Sequence, residues 1–229
     1  MKRIKATDMY LKSFQALFSA TRLLFTNRRA LALLLTTYCG LLFTLYLFIS
    51  TREATISQIL LTLLSIAVAP ALFFLIQSIS VTYPTGKLSK VVIVNFKLFI
   101  VSLPVIALTV FAVYKVNLIT LRYLLIAVIA PLLAIQLWIA TSNTGLRSIV
   151  KRMGQVLSKA FAPHSVLVYA CGFLIFAVVP YLLLRKSIST ERAWLEISLL
   201  TVRLAASATL MLVGWVTTVG AISILSRDD

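Results

Sequence analysis

The chain has 229 residues and carries 22 Lys and Arg against six Asp and Glu, a net charge of +16, yet 61% of it is hydrophobic and only 12% is charged. A soluble domain of that composition would have to cover its surface with apolar side chains, so lipid is the expected solvent. Runs apolar on every face, such as Leu31 to Leu35 and Tyr123 to Ile129, lack the alternation of a membrane β-strand and leave helices as the spanning element.

Windows free of charged residues cover 30–51, 54–86, 98–114, 123–146, 160–184 and 204–226. Each is near or above the roughly 18–20 apolar residues needed to cross a bilayer. The expected fold is therefore an all-α, polytopic membrane helix bundle: a single domain over 30–229 with spans at 30–50, 57–81, 96–114, 120–140, 165–184 and 204–225. The shortest window, 98–114, is the weakest of the six.

Ahead of the first span, 1–29 is basic, and Tyr10, Phe14, Leu17, Phe18, Leu24 and Phe25 recur at helical spacing with Lys12, Gln15, Ser19 and Arg22 between them. That pattern predicts an amphipathic helix lying along the membrane surface. Asp8 and Lys12 interrupt any secretory signal, so the first span is expected to act as an uncleaved anchor; a mitochondrial targeting segment is the other reading of the same stretch. Cys39 in span one and Cys171 in span five read as packing residues.

Span two contains Pro70 and then Gln77, Ser78 and Ser80, and it ends in the turn Tyr83-Pro84-Thr85-Gly86-Lys87, which lacks the first glycine of a phosphate loop. Pro104 sits in span three, Pro131 and Gln136 in span four, and Pro180 near the end of span five. Each proline removes a backbone donor and bends its helix, so the four are candidate hinges. Bent helices can line a cavity; proline is also common in membrane helices.

Between spans four and five, Leu146, Ile149, Val150, Met153, Val156, Leu157 and Phe161 form a stripe opposed by Arg147, Lys151, Arg152, Gln155 and Lys159. The pattern predicts a second amphipathic helix over 146–161, resting in the head groups or docking a partner. His164, after Pro163, is expected at an interface rather than in a catalytic centre. In 187–203, Trp194, Ile197 and Val202 mix with Glu191, Arg192 and Glu196, and Arg203 is expected at the interface. Span six holds Ala205, Ala206, Ala208, Gly214, Gly220 and Ala221, small residues that let it pack as a central helix.

Fifteen of the 22 basic residues fall in the first 29 residues, the second and fourth connections and the tail, against seven on the opposite side. Basic loops stay in the cytoplasm, so both termini are expected there, in a bacterial inner membrane or alternatively the mitochondrial inner membrane. The basic side suits anionic head groups rather than nucleic acid. Arg22, Arg28, Arg29, Arg147, Lys151, Arg152 and Lys159 are its candidate lipid or partner contacts.

All six acids lie outside the expected spans, and His164 stands alone beside two distant cysteines, so no proton relay, metal site or cofactor is expected. In layout, a basic amphipathic helix leading into six spans, the chain resembles the membrane subunits of ABC-type exporters and several uncharacterised bacterial six-span families. That resemblance implies a cytoplasmic ATPase as partner. In those exporters the ATPase-contacting helix lies between the second and third spans, whereas the strongest amphipathic connection here follows the fourth, and no motif carries a functional residue across. The expected function is a non-catalytic membrane subunit of a transport or envelope-assembly complex, free to form homo-oligomers. The alternatives are a stand-alone channel or facilitator and, last, a lipid-modifying enzyme.

Overall fold

A computed structural model describes residues 6–51, 55–86, 88, 91–143, 153–185 and 193–228, and all regular structure among them is helical. Helix α1 runs over Ala6–Thr26 and α2 over Arg28–Ser50. Asn27 joins them: its Oδ1 accepts from the Ala30 amide at 3.1 Å, an N-cap that starts α2 with almost no linker. Helix α3 spans Ile56–Thr82, opened by a Thr55/Gln58 capping box and closed by a 3₁₀ turn over Tyr83–Thr85. Helix α4 is Val91–Lys115. The weakest sequence window is thus a helix of 25 residues.

Helix α5 consists of Ile119–Leu124, a π-turn at Leu125–Ile129 and Ala130–Asn143. The short α6 is Met153–Ala160. Helix α7 repeats the interrupted design, with Pro163–Phe173, a π-turn at Leu174–Val178 and Val179–Arg185. Helix α8 is Ala193–Asp228. Six of these helices, α2, α3, α4, α5, α7 and α8, are long and apolar enough to cross a membrane.

Span six is longer than its expected bounds of 204–225, beginning eleven residues earlier. At 36 residues it measures about 54 Å, against a hydrocarbon core of about 30 Å. The charges at Glu196 and Arg203 do not interrupt it, because an exposed helix tolerates them and Arg203 has a partner. Its guanidinium donates from both Nε and Nη2 to the Leu183 carbonyl. Leu183 lies in the last turn of α7, where carbonyls lack intrahelical donors, so Arg203 caps the end of span five.

Burial is uneven along the bundle. One end holds Asn27, Tyr83, Pro163 and Asp228 and is hereafter the basic end. There α3 is buried almost continuously from Phe74 to Tyr83, α5 from Ala130 to Thr141, and α8 from Val216 to Ser223. In the other half, α5 has no buried residue over 119–129 and α3 has only Ser65 over 56–73. Lipid tails are as apolar as leucine, so spans associate through close packing and hydrogen bonds rather than the hydrophobic effect. Gln77, Ser78, Ser80, Thr82, Gln136, Thr141, Ser165, Thr218 and Ser223 are all buried at that basic end.

Small residues set the closest approaches. A methyl group at Gly172 would overlap Thr218, one at Gly220 would overlap the Tyr83 hydroxyl, and one at Gly214 would lie 3.0 Å from the Phe176 Cβ. These contacts press α8 against α7 and the turn after α3, the central position its small residues predict.

The first helix keeps the aromatic part of its apolar stripe at the surface and packs through a different edge, which Leu24 shares. Ser13, Ala16, Ala20 and Leu24 form its buried edge, whereas Tyr10, Phe14, Phe18 and Phe25 point outward, Phe18 at 72% exposure. Helix α1 packs on α8 and α7 through the small edge, because a backbone approaches closely only where side chains are short. Its aromatic face and its polar face, with Lys12, Gln15, Ser19 and Arg22, stay open.

Candidate functional site

Above the compact basic half, the helices part around a groove of about 540 Å³, within the roughly 300–1,000 Å³ of ordinary ligand sites. Its walls come from five spans: Leu41 and Leu45 on α2, Pro70 and Phe73 on α3, Ser102, Ile106 and Thr109 on α4, Ile126 and Ala134 on α5, and Trp215 on α8. Leu45, Pro70, Phe73 and Ile106 are exposed, so the groove opens sideways toward the lipid.

The floor is a pair of tryptophans. Trp138 and Trp215 meet edge to face with ring centroids 6.4 Å apart. Each indole N–H, costly if left bare in hydrocarbon, finds an acceptor on another span: Trp138 Nε1 donates to Ser102 Oγ and Trp215 Nε1 to Gln77 Oε1, both at 2.7 Å. The two polar side chains on the wall are also engaged, Ser102 donating to the Leu98 carbonyl and Thr109 to the Ile106 carbonyl, each at 2.7 Å. What remains facing the groove is almost wholly apolar. It can hold hydrocarbon and offers little to a hydrated ion.

Pro70 and Pro131 line this groove, and Pro104 lines a second cavity of about 370 Å³ between α4, α5 and the Met153, Val156 and Leu157 side chains of α6. Pro180 is buried in α7 and lines neither. Pro131 and Pro180 each follow a π-turn by two residues, and the sequences match: Leu125-Ile126-x-x-x-x-Pro131 and Leu174-Ile175-x-x-x-x-Pro180. The widened turn accommodates the ring that would otherwise press on the preceding turn.

The basic candidates divide. Arg22, Arg28 and Arg29 are exposed around the α1–α2 joint. Lys159 is committed within the chain: its Nζ donates to the Ser226 carbonyl at 3.1 Å, capping the last turn of α8. Arg147, Lys151 and Arg152, with the start of the expected 146–161 helix, lie outside the described residues. In the described part, Val156 and Ala160 are buried and Met153, Leu157 and Phe161 are exposed, so only one edge of the stripe packs on the bundle. Cys39 and Cys171 carry free thiols on α2 and α7, and His164 is half-buried at the start of α7.

Sequence reasoning did not find the tryptophan floor or Tyr169, whose hydroxyl crosses from α7 to the Ala127 carbonyl of α5 at 2.6 Å. The usable signal was the doubled Leu-Ile-x-x-x-x-Pro pattern, which marks two helices with the same backbone defect. Compared with known proteins, the chain matches no family model, no curated protein and no solved structure.

Proposed function

We propose that this chain is a non-catalytic membrane subunit of a transport or envelope-assembly complex that receives an apolar, chain-like cargo, a lipid acyl chain, from the surrounding bilayer. The observation that supports it is the groove itself: apolar, floored by satisfied tryptophans and open sideways at Leu45, Phe73 and Ile106. An elongated hydrocarbon entering from lipid needs no dehydration, whereas an ion would meet no ligand along this wall.

The groove reading is tested with the indoles. The chain has three tryptophans, and a Trp194→Phe variant leaves only Trp138 and Trp215 to report. In vesicles of phosphatidylcholine with brominated acyl chains, their fluorescence is expected to fall strongly relative to unbrominated vesicles, since Trp138 is 4% exposed and both indoles line the groove. Equal emission in both vesicles would reject the reading.

The basic end is placed in the cytoplasm of a bacterial cell on the strength of its charge excess, with the open faces of α1 and α6 available to anionic head groups and to a soluble partner such as an ATPase. A carboxy-terminal green fluorescent protein fusion reads both points. It should fluoresce, and it should carry a soluble partner through mild detergent that is lost when Lys151 and Arg152 become Glu. A dark fusion rejects the orientation; a partner-free preparation, or one unchanged by the substitutions, rejects the docking. With flux of an apolar solute through vesicles holding the chain alone, the facilitator reading would take its place.

A further inference from the structure

We infer that Tyr169 is a positioning residue that sets the wall of the groove, by capping a backbone carbonyl that Pro131 leaves without its helical donor. The inference rests on the groove being the functional site. A proline lacks the N–H that would bond to the carbonyl four residues earlier, which for Pro131 is that of Ala127. In hydrocarbon such a carbonyl has no water to turn to. The Tyr169 hydroxyl donates to it at 2.6 Å from the neighbouring span, and Tyr169 is itself 4% exposed. The backbone around it is the π-turn, where the Ala130 amide reaches back five residues to the Leu125 carbonyl.

The π-turn matters for the wall because of its phase. Ile126, Ala130, Ala134 and Trp138 all line the groove at steps of four residues. In an uninterrupted α-helix each step of four drifts about 40°, so Ile126 would stand about 120° away from Trp138 and leave the wall. The wider turn takes back most of that drift. The bond from Tyr169 therefore holds the conformation that keeps Ile126 beside the tryptophan floor.

The same ring is linked to the floor through Phe176. Tyr169 packs against Phe176 with centroids 6.0 Å apart, and Phe176 against Trp215 at 5.2 Å. Phe176 belongs to the π-turn of α7, so both interrupted helices and one floor indole meet around Tyr169. A change in the Tyr169 contact is passed to wall and floor together.

The test is a double-mutant cycle of Tyr169→Phe and Pro131→Ala, each made on Trp194→Phe and read by brominated-lipid quenching and by the midpoint of thermal unfolding. Tyr169→Phe alone should lower quenching at least twofold. Pro131→Ala, which restores an N–H for the Ala127 carbonyl and lets α5 return to regular α-helix, should also lower it. Tyr169→Phe added to Pro131→Ala should change neither readout further, because the carbonyl no longer depends on the hydroxyl. Unchanged quenching in Tyr169→Phe, or fully additive effects, would overturn the assignment. If wild-type vesicles show no quenching, the groove reading fails, and the positioning role with it. The unfolding midpoints still separate the two failures: non-additive shifts show the cap to be real without a lipid site, and additive shifts remove the cap as well. Should Tyr169→Phe not fold, Pro131→Ala decides, since unaltered quenching there means that the π-turn does not set the wall.

Discussion

Replacing Gly220 with leucine is expected to destabilise the bundle by about 2–4 kcal/mol, which combines about 1–3 for overpacking with about 1 for a lost hydrogen bond. Even a single Cβ at this position would overlap the Tyr83 hydroxyl. Tyr83 is 3% exposed and donates to the Ala20 carbonyl at 3.2 Å, so it cannot withdraw without releasing α1 from the turn after α3. Leucine thus disturbs α8, the end of α3 and α1 together. Gly154, by contrast, sits exposed on α6 with nothing within 4 Å of an added Cβ. Alanine there should be neutral or stabilise by up to about 1 kcal/mol, as expected for an exposed helical glycine. Thermal unfolding in detergent compares the two, and a Gly220→Leu protein melting with wild type would show that α8 does not press on Tyr83 as described.

The second large effect is expected from filling the groove rather than from breaking the fold. Ala134 is 6% exposed and lines the wall between Pro131 and the tryptophan floor, so a phenylalanine ring there projects into the open volume. If it excludes three methylene groups of a bound chain, the loss is about 2.4 kcal/mol, more than tenfold in affinity. Quenching of Trp138 and Trp215 by brominated chains should fall accordingly, with the unfolding midpoint little changed, because the ring enters space that is already open. Ala134→Ser keeps the volume and should leave quenching near wild type. Undiminished quenching in Ala134→Phe would mean that bromine reaches the indoles by another path.

Helix positions were legible because hydrocarbon leaves a chain so few choices. A stretch such as Val91–Lys115 must satisfy its own amides in lipid, and apolar length alone marks it. The start of span six was not legible in the same way. Glu196 and Arg203 look like the end of a hydrophobic segment, and only the Leu183 carbonyl across from Arg203 shows why the helix runs through. The buried edge of α1 was not legible for a related reason. In water the aromatic stripe of Tyr10, Phe14, Phe18 and Phe25 would turn inward, but beside a bilayer that stripe has lipid to meet, and Ser13, Ala16 and Ala20 make the closer helix contact.

The candidate site was legible in part. Pro70, Pro104 and Pro131 stand out in the sequence, and all three line cavities, but nothing in their spacing separates them from Pro180, which is buried against its neighbours. Lys159 reads like the other basic residues of its helix, and a single contact with the Ser226 carbonyl turns it into a cap. Which side chain completes another helix's backbone depends on who stands beside it, and that information is not local.

By itself, then, the sequence determined the solvent, the helical class and the six apolar crossings, since these follow from composition and from the cost of an unsatisfied amide in lipid. Tertiary structure decided which faces meet and what lies between them. It brought Gly220 onto Tyr83, the Tyr169 hydroxyl onto the carbonyl that Pro131 leaves bare, and two tryptophans together as the floor of a groove. The physical reason is that lipid rewards every apolar face alike, so the choice among faces falls to close packing and to a few hydrogen bonds between residues far apart in the chain.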